Sequence, residues 1–204
     1  MLRIALAVLL VYPSIASATI IDFDDPALTS GMEVGDFYGD LGVTFVDAKI
    51  YAGTAAVAGI DPSHYSGLNV VSHSASLAPQ PNDPIEAIFA TPISSLTLTG
   101  LGVGWAGFLL NGYDSSGNLI ATVAEGGSGG PAGGGAFTWF SLSLSAAEMT
   151  RITFSQMKLY GPDGSVAWDN LTFEPQSTVP EPATIALWLP GLAMLLRRRK
   201  RVNG

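Results

Sequence analysis

Short runs rich in Val, Ile, Thr, Phe and Leu, separated by Gly, Pro, Asn and Asp, set the hydrophobic pattern of this chain. Runs of this length and composition, bounded by turn residues, read as β-strands whose alternate side chains face a core. The pattern predicts strands at Thr19–Phe23, Gly42–Asp47, Gly67–Ser72, Ile85–Ala90, Ser94–Leu101, Gly107–Asp114, Leu119–Ala124, Phe137–Leu144, Arg151–Gln156 and Val166–Glu174. Ser145-Ala146-Ala147-Glu148-Met149 reads instead as one helical turn, with Ser145 capping and Glu148 completing a capping box. Gly117 supplies a positive φ for a hairpin return at Tyr113–Asn118, and the stretch from Gly126 to Gly135 reads as a flexible linker between strands. About ten short strands with no βαβ rhythm predict an all-β fold, a two-sheet antiparallel β-sandwich of the jelly-roll kind. In such a fold, function rests on loops and sheet faces.

Both ends break this pattern. Met1-Leu2-Arg3, the apolar run Ile4 to Val11, the Tyr12-Pro13 break and the small residues Ala16 and Ala18 have the layout of a secretory signal peptide cut after Ala18. At the other end the linker Glu174-Pro175-Gln176-Ser177-Thr178 leads to Val179-Pro180-Glu181-Pro182. An apolar segment from Ala183 to Leu196 follows, then the basic cluster Arg197, Arg198, Arg199, Lys200 and Arg201. Such a cluster stays cytoplasmic by the positive-inside rule, so the apolar segment reads as a short hydrophobic helix that holds the body outside the inner membrane. It is shorter than the roughly 20 residues of a comfortable span and is interrupted by Pro190-Gly191, which favours a temporary anchor. The expected organisation is a signal peptide at 1–18, a β-sandwich at 19–174, a linker at 175–178 and a sorting signal at 179–202.

Pro180-Glu181-Pro182, a short hydrophobic segment and an Arg-rich terminus, in that order, resemble the PEP-CTERM sorting signal of Gram-negative bacteria. The resemblance covers about the last twenty-five residues. It implies recognition of Val179, Pro180, Glu181 and Pro182 by an exosortase, a membrane-embedded cysteine protease or transpeptidase that removes the hydrophobic tail. It further implies transient residence in the inner membrane, then delivery to the cell surface or extracellular matrix, in a setting of exopolysaccharide production.

Charge narrows the partners. Between the two end segments only Lys49, Arg151 and Lys158 are basic, against sixteen Asp and Glu. So acidic a body repels phosphate and excludes nucleic acid as a partner. It also suits divalent cations, since carboxylates are hard oxygen ligands. Cysteine is absent, which excludes thiol catalysis and thiolate metal sites.

A second resemblance spans most of the body. Ile20-Ile21-Asp22-Phe23-Asp24, the stretch Tyr38 to Phe45, Phe89-Ala90-Thr91-Pro92-Ile93-Ser94-Ser95-Leu96, Gly112-Tyr113-Asp114 and Trp168-Asp169-Asn170-Leu171-Thr172-Phe173 are similar to lectin-like jelly-roll carbohydrate-binding modules. In those modules the first and last strands lie side by side and their acids share a structural calcium. The resemblance therefore implies Asp22, Asp24 and Asp169 as ligands, with Asp22 and Asp24 on one strand face. The alternative stays open beside it: Asp169 and Asn170 bond to turn backbone, as Asx side chains do. No other cofactor is required.

Sugar binding needs an exposed aromatic beside amide or carboxylate groups. Trp105, Tyr113 and Asn111 are the leading candidates, followed by Tyr65, Trp139, Tyr160 and Asn69, while Trp139 and Trp168 also read as core residues of their strands. His64 and His73 match neither a Ser-nucleophile motif nor His-Glu-x-x-His and read as exposed loop histidines. The expectation is a non-enzymatic surface or matrix protein with a structural or adhesive role. A glycan-binding module is the alternative, and a glycoside-active enzyme, which needs two convergent carboxylates, comes third.

Overall fold

Among the described residues the apolar runs fold into nine strands: β1 (Thr19–Ile21), β2 (Val43–Val46), β3 (Lys49–Ala52), β4 (Asn69–Ser72), β5 (Ile85–Leu101), β6 (Phe108–Tyr113), β7 (Leu119–Glu125), β8 (Trp139–Gln156) and β9 (Ala167–Pro175). The structure is a computed structural model that describes residues 17–52, 61–73, 84–103, 107–125, 139–157 and 166–176. These fall in one unit, Ala16–Gln176, and the second unit, Met1–Ile15 with Ser177–Gly204, lies outside them. The expected signal peptide up to residue 16, the expected sorting signal with Val179, Pro180, Glu181 and Pro182, and the Gly126–Gly135 stretch are therefore outside the described residues.

All pairings between strands are antiparallel. The fold is all-β, and its strands join differently from the expectation. The two runs Ile85–Ala90 and Ser94–Leu101 belong to one 17-residue strand, and β8 runs 18 residues straight through Ser145–Met149. The expected helical turn is absent because its residues pair with β5: Ser145 faces Ser95, and Met149, fully buried, faces Ile93. Glu148, instead of closing a capping box, adopts φ 64° beside the register shift at Ile93. Pro92 sits in the same irregularity, where a missing N–H costs no ladder bond. β3 was not expected; Lys49-Ile50-Tyr51-Ala52 is short, yet Ile50 is fully buried and the strand pairs with β4.

The strand order is β3-β4-β9-β5-β8-β6-β7, with β1 added on β9 and β2 on β5. Hydrogen bonding thus makes one continuous nine-stranded sheet, where two separate sheets were expected. The first half of β5 lies between β2 and the second half of β8, and its second half lies between β9 and the first half of β8. Bends in the two long strands carry the chain from one layer to the other, as strands do at sandwich corners. The halves meet through aromatic rings: Trp168 of β9 lies 5.2 Å from Phe154 of β8 and 6.2 Å from Phe108 of β6, and Phe89 lies 5.0 Å from Phe173. None of these pairs are neighbours in the ladder, so the contacts are between facing layers.

Candidate functional site

An acidic knot forms where the end of β1, the segment before β4 and β9 meet. Strand β1 stops at Ile21 because Phe23 takes φ 59° and turns its ring into the core, edge-on to Tyr38 at 5.8 Å and Phe45 at 5.6 Å. The kink cancels the simple alternation that would place Asp22 and Asp24 on one face. Asp22 is exposed, and its Oδ1 accepts the Asp24 amide at 3.3 Å. Asp24 points the other way: its Oδ1 accepts the amides of Leu68 (2.9 Å) and Asn69 (3.0 Å), and its Oδ2 is buried without a hydrogen-bond partner. Asn69 Nδ2 donates to the carbonyls of Phe23 (3.2 Å) and Leu28 (3.4 Å), closing the loop over β1.

Asp169 is the fully buried acid of the knot. It accepts the Ser66 amide at 2.7 Å, the Asn170 amide at 2.7 Å and the Ser66 hydroxyl, which lies 3.0 Å from both oxygens and 2.9 Å from the Asp22 carbonyl. Burial nevertheless wins over these bonds, and with the nearby charge of Asp24 it pushes the Asp169 carboxyl up to about 7. The Tyr38 phenol is likewise held above the usual phenol range, by burial first and then by the charges of Asp22, Asp25, Asp24 and Asp169; its buried O–H has no partner. Gly67 makes the approach possible: it has φ +35°, and a Cβ there would collide with the Asp24 carboxylate.

Asp24 and Asp169 are thus brought to the two sides of the Ser66–Asn69 turn, and Asp22 is not. Among the described residues no three His, Asp or Glu side chains converge to hold a metal ion. Asp24 and Asp169 fit calcium in donor type, hard oxygens with one buried oxygen unpartnered, whereas the Asp22 side chain stands outside that set. Ser66 escaped the sequence reading, and Tyr38 entered it only as the start of the Tyr38 to Phe45 stretch. Ser66-Gly67, with Asn69 two residues on, is a turn signature, which was absorbed into a strand beginning at Gly67.

The outer face of β6 brings Tyr113 and Asn111 together, separated by the inward-facing Gly112. Arg151, the cross-strand neighbour of Tyr113, lays its guanidinium 4.2 Å over the ring centre and sends Nη1 to Glu86 Oε1 at 2.7 Å. Asn111 Oδ1 accepts the Thr122 hydroxyl at 2.7 Å, and its Nδ2 lies 3.5 Å from Thr153 Oγ1. Glu86, Thr153, Asn111 and Thr122 form one row across β5, β8, β6 and β7. The result is a half-exposed surface of ring, guanidinium, amide, hydroxyl and carboxylate.

The remaining candidates scatter. Trp105 and Tyr160 lie outside the described residues. Trp168 is core, as one of the two readings had it, but Trp139 is 37% exposed and stacks on His64 with centroids 3.4 Å apart. His64 and His73 are half-buried, where exposed histidines were expected; His64 is held by the Trp139 ring at the end of the Pro62–His64 3-10 turn. Tyr65 packs against the small cluster of Val70, Leu101 and Ala167.

No protein-family model matches the chain, and no curated protein does. Among solved structures, the chain is similar to the K2 cleaved adhesin domain of Lys-gingipain, at 12% identity over 77% of this chain and 99% of that one, with a TM-score of 0.47. The K1 adhesin domain from Porphyromonas gingivalis W83 gives 12% identity, 78% and 99% coverage and a TM-score of 0.48. A family 35 carbohydrate binding module from Clostridium thermocellum gives 13% identity, 78% and 98% coverage and a TM-score of 0.36.

Proposed function

We propose that this chain is an exported, non-catalytic protein that an exosortase processes at its C-terminal signal, releasing the β-domain to the cell surface or exopolysaccharide matrix for a structural or adhesive role. The observation that carries this reading is the order Val179-Pro180-Glu181-Pro182, apolar segment, Arg-rich end, opposite an N-terminal segment with signal-peptide layout. The strand-rich body between them supports an adhesive module. Intact mass and membrane fractionation in a host with and without its exosortase test it, with Glu181→Ala beside the native chain. Loss of the tail and departure from the inner membrane only with the enzyme and only for the native chain is expected. A tail retained in every case overturns the reading.

A glycan-contact role is favoured by the Tyr113–Arg151–Asn111 face, which offers a ring and guanidinium plane beside hydrogen-bonding groups. Retention of the protein by its host's polysaccharide tests it. A calcium ion at Asp24 and Asp169 is proposed as a stabilising ligand of the knot, supported by the orphaned Asp24 Oδ2.

A further inference from the structure

Strand β7 is the outermost strand of its layer: it pairs with β6 and, among the described residues, with no other strand. Every second residue of such an edge turns its N–H and C=O outward without a partner. Folded proteins usually blunt such an edge with Lys, Pro or a central bulge. β7, Leu119-Ile120-Ala121-Thr122-Val123-Ala124-Glu125, has no Lys and no Pro, and its single charge is at its last residue. The one register shift falls at its start, between Gly112 and Tyr113 of β6, so Ala121–Glu125 stays regular. Leu119 is 56% exposed and Ile120 37%.

The strand is complementary to itself. Laid antiparallel on its own copy about Thr122, it sets Thr122 against Thr122, Ala121 against Val123, Ile120 against Ala124 and Leu119 against Glu125. Ala121 and Val123, which pack at the rim of the core, would meet Val123 and Ala121 of the second copy and continue the inner apolar face. Two copies of so acidic a body can approach only where carboxylates stay apart. In this register the two Glu125 side chains lie at opposite ends of the shared ladder, about 20 Å apart by strand rise, whereas parallel pairing would set them side by side.

We infer that β7 is a homotypic edge, where two copies of this chain pair about a two-fold axis at Thr122 and extend the sheet across both. This rests on neither the sorting nor the glycan reading. The native chain has no cysteine, so a single Thr122→Cys in the full chain places its only thiol at the two-fold axis. On mild oxidation or treatment with a short bismaleimide, about tenfold more covalent dimer is expected than from Thr29→Cys, an exposed position away from β7. Co-expressed Ile120→Cys and Ala124→Cys chains should cross-link to each other by the same register, which guards against a folding defect at 122. Equal or absent dimer at both the edge and Thr29 overturns the inference. So does preferential joining of two Glu125→Cys chains, or a cross-linked band with the mass of a foreign protein.

Discussion

Ser66 and Asp169, 103 residues apart in the chain, are joined by the Ser66 amide at 2.7 Å and its hydroxyl at 3.0 Å from each carboxylate oxygen. A serine in a loop and an aspartate in a strand thereby fix the turn before β4 on β9. Replacing Asp169 with Ala would leave the Ser66 and Asn170 amides facing a buried void, each costing about 1–3 kcal/mol. Urea unfolding of Asp169→Ala should therefore show a loss of about 3 kcal/mol or more, and Asp169→Asn, which keeps an acceptor, a smaller one. A loss under about 0.5 kcal/mol for Asp169→Ala would mean the turn is held by something else.

The same aspartate sets a pH dependence. Its carboxyl is pushed up to about 7 in the folded chain, against about 3.9 when unfolded, so between these values the folded chain holds the extra proton. Its contribution to stability is fully present below about pH 4 and is lost as pH rises through 7. In calcium-free buffer the native chain should lose stability over that window relative to Asp169→Asn; parallel curves would remove Asp169 as the cause. Asp61 and Asp114 shift the opposite way, held low by bonds from Ser63 and from Asn118, so their contributions are lost only as pH falls into the acidic carboxylate range.

Calcium should raise the melting temperature of the native chain and not that of an Asp24→Ala, Asp169→Ala double variant. The cation neutralises a carboxylate whose Oδ2 has no partner and favours the ionised form of its neighbour. A melting temperature indifferent to calcium would leave the knot held by hydrogen bonds alone.

Gly67→Ala should destabilise the fold by about 2 kcal/mol or more, since it strains a positive φ and drives a methyl into the Asp24 carboxylate. Pairing it with Asp24→Gly should recover part of that loss. If the two losses simply add in chemical denaturation, the contact is not the source.

On the sheet face, Arg151→Ala removes an ion pair and a cation–π contact that are half-exposed, so its stability cost should stay near 1 kcal/mol. Tyr113→Ala and Arg151→Ala should nonetheless both weaken retention on the host polysaccharide. Unchanged retention with intact folding would disconnect this face from glycan.

Strand existence was legible because alternation survives in Val43-Thr44-Phe45 and Leu142-Ser143-Leu144, where every second side chain is buried. Strand continuity was not. Pro92 and the helix-like Ser145–Met149 carry local signals that point to breaks, and only the pairing of β5 with β8 overrides them. Asp24 and Asp169 could be picked out by resemblance, but their orientation depends on Phe23 adopting φ 59°, which no local pattern in Asp22-Phe23-Asp24 announces. Arg151 and Glu86 joined Tyr113 through register across three strands, a relationship that sequence distance hides.

The place of β9 in the sheet decides how the domain answers a pull on its C-terminal end. The chain leaves through Pro175 from a strand flanked by β5 along most of one side and by β4 and β1 on the other. Tension applied beyond Pro175 therefore enters an inner strand and loads ladders on both sides together in shear, where an edge strand would unzip one hydrogen bond at a time.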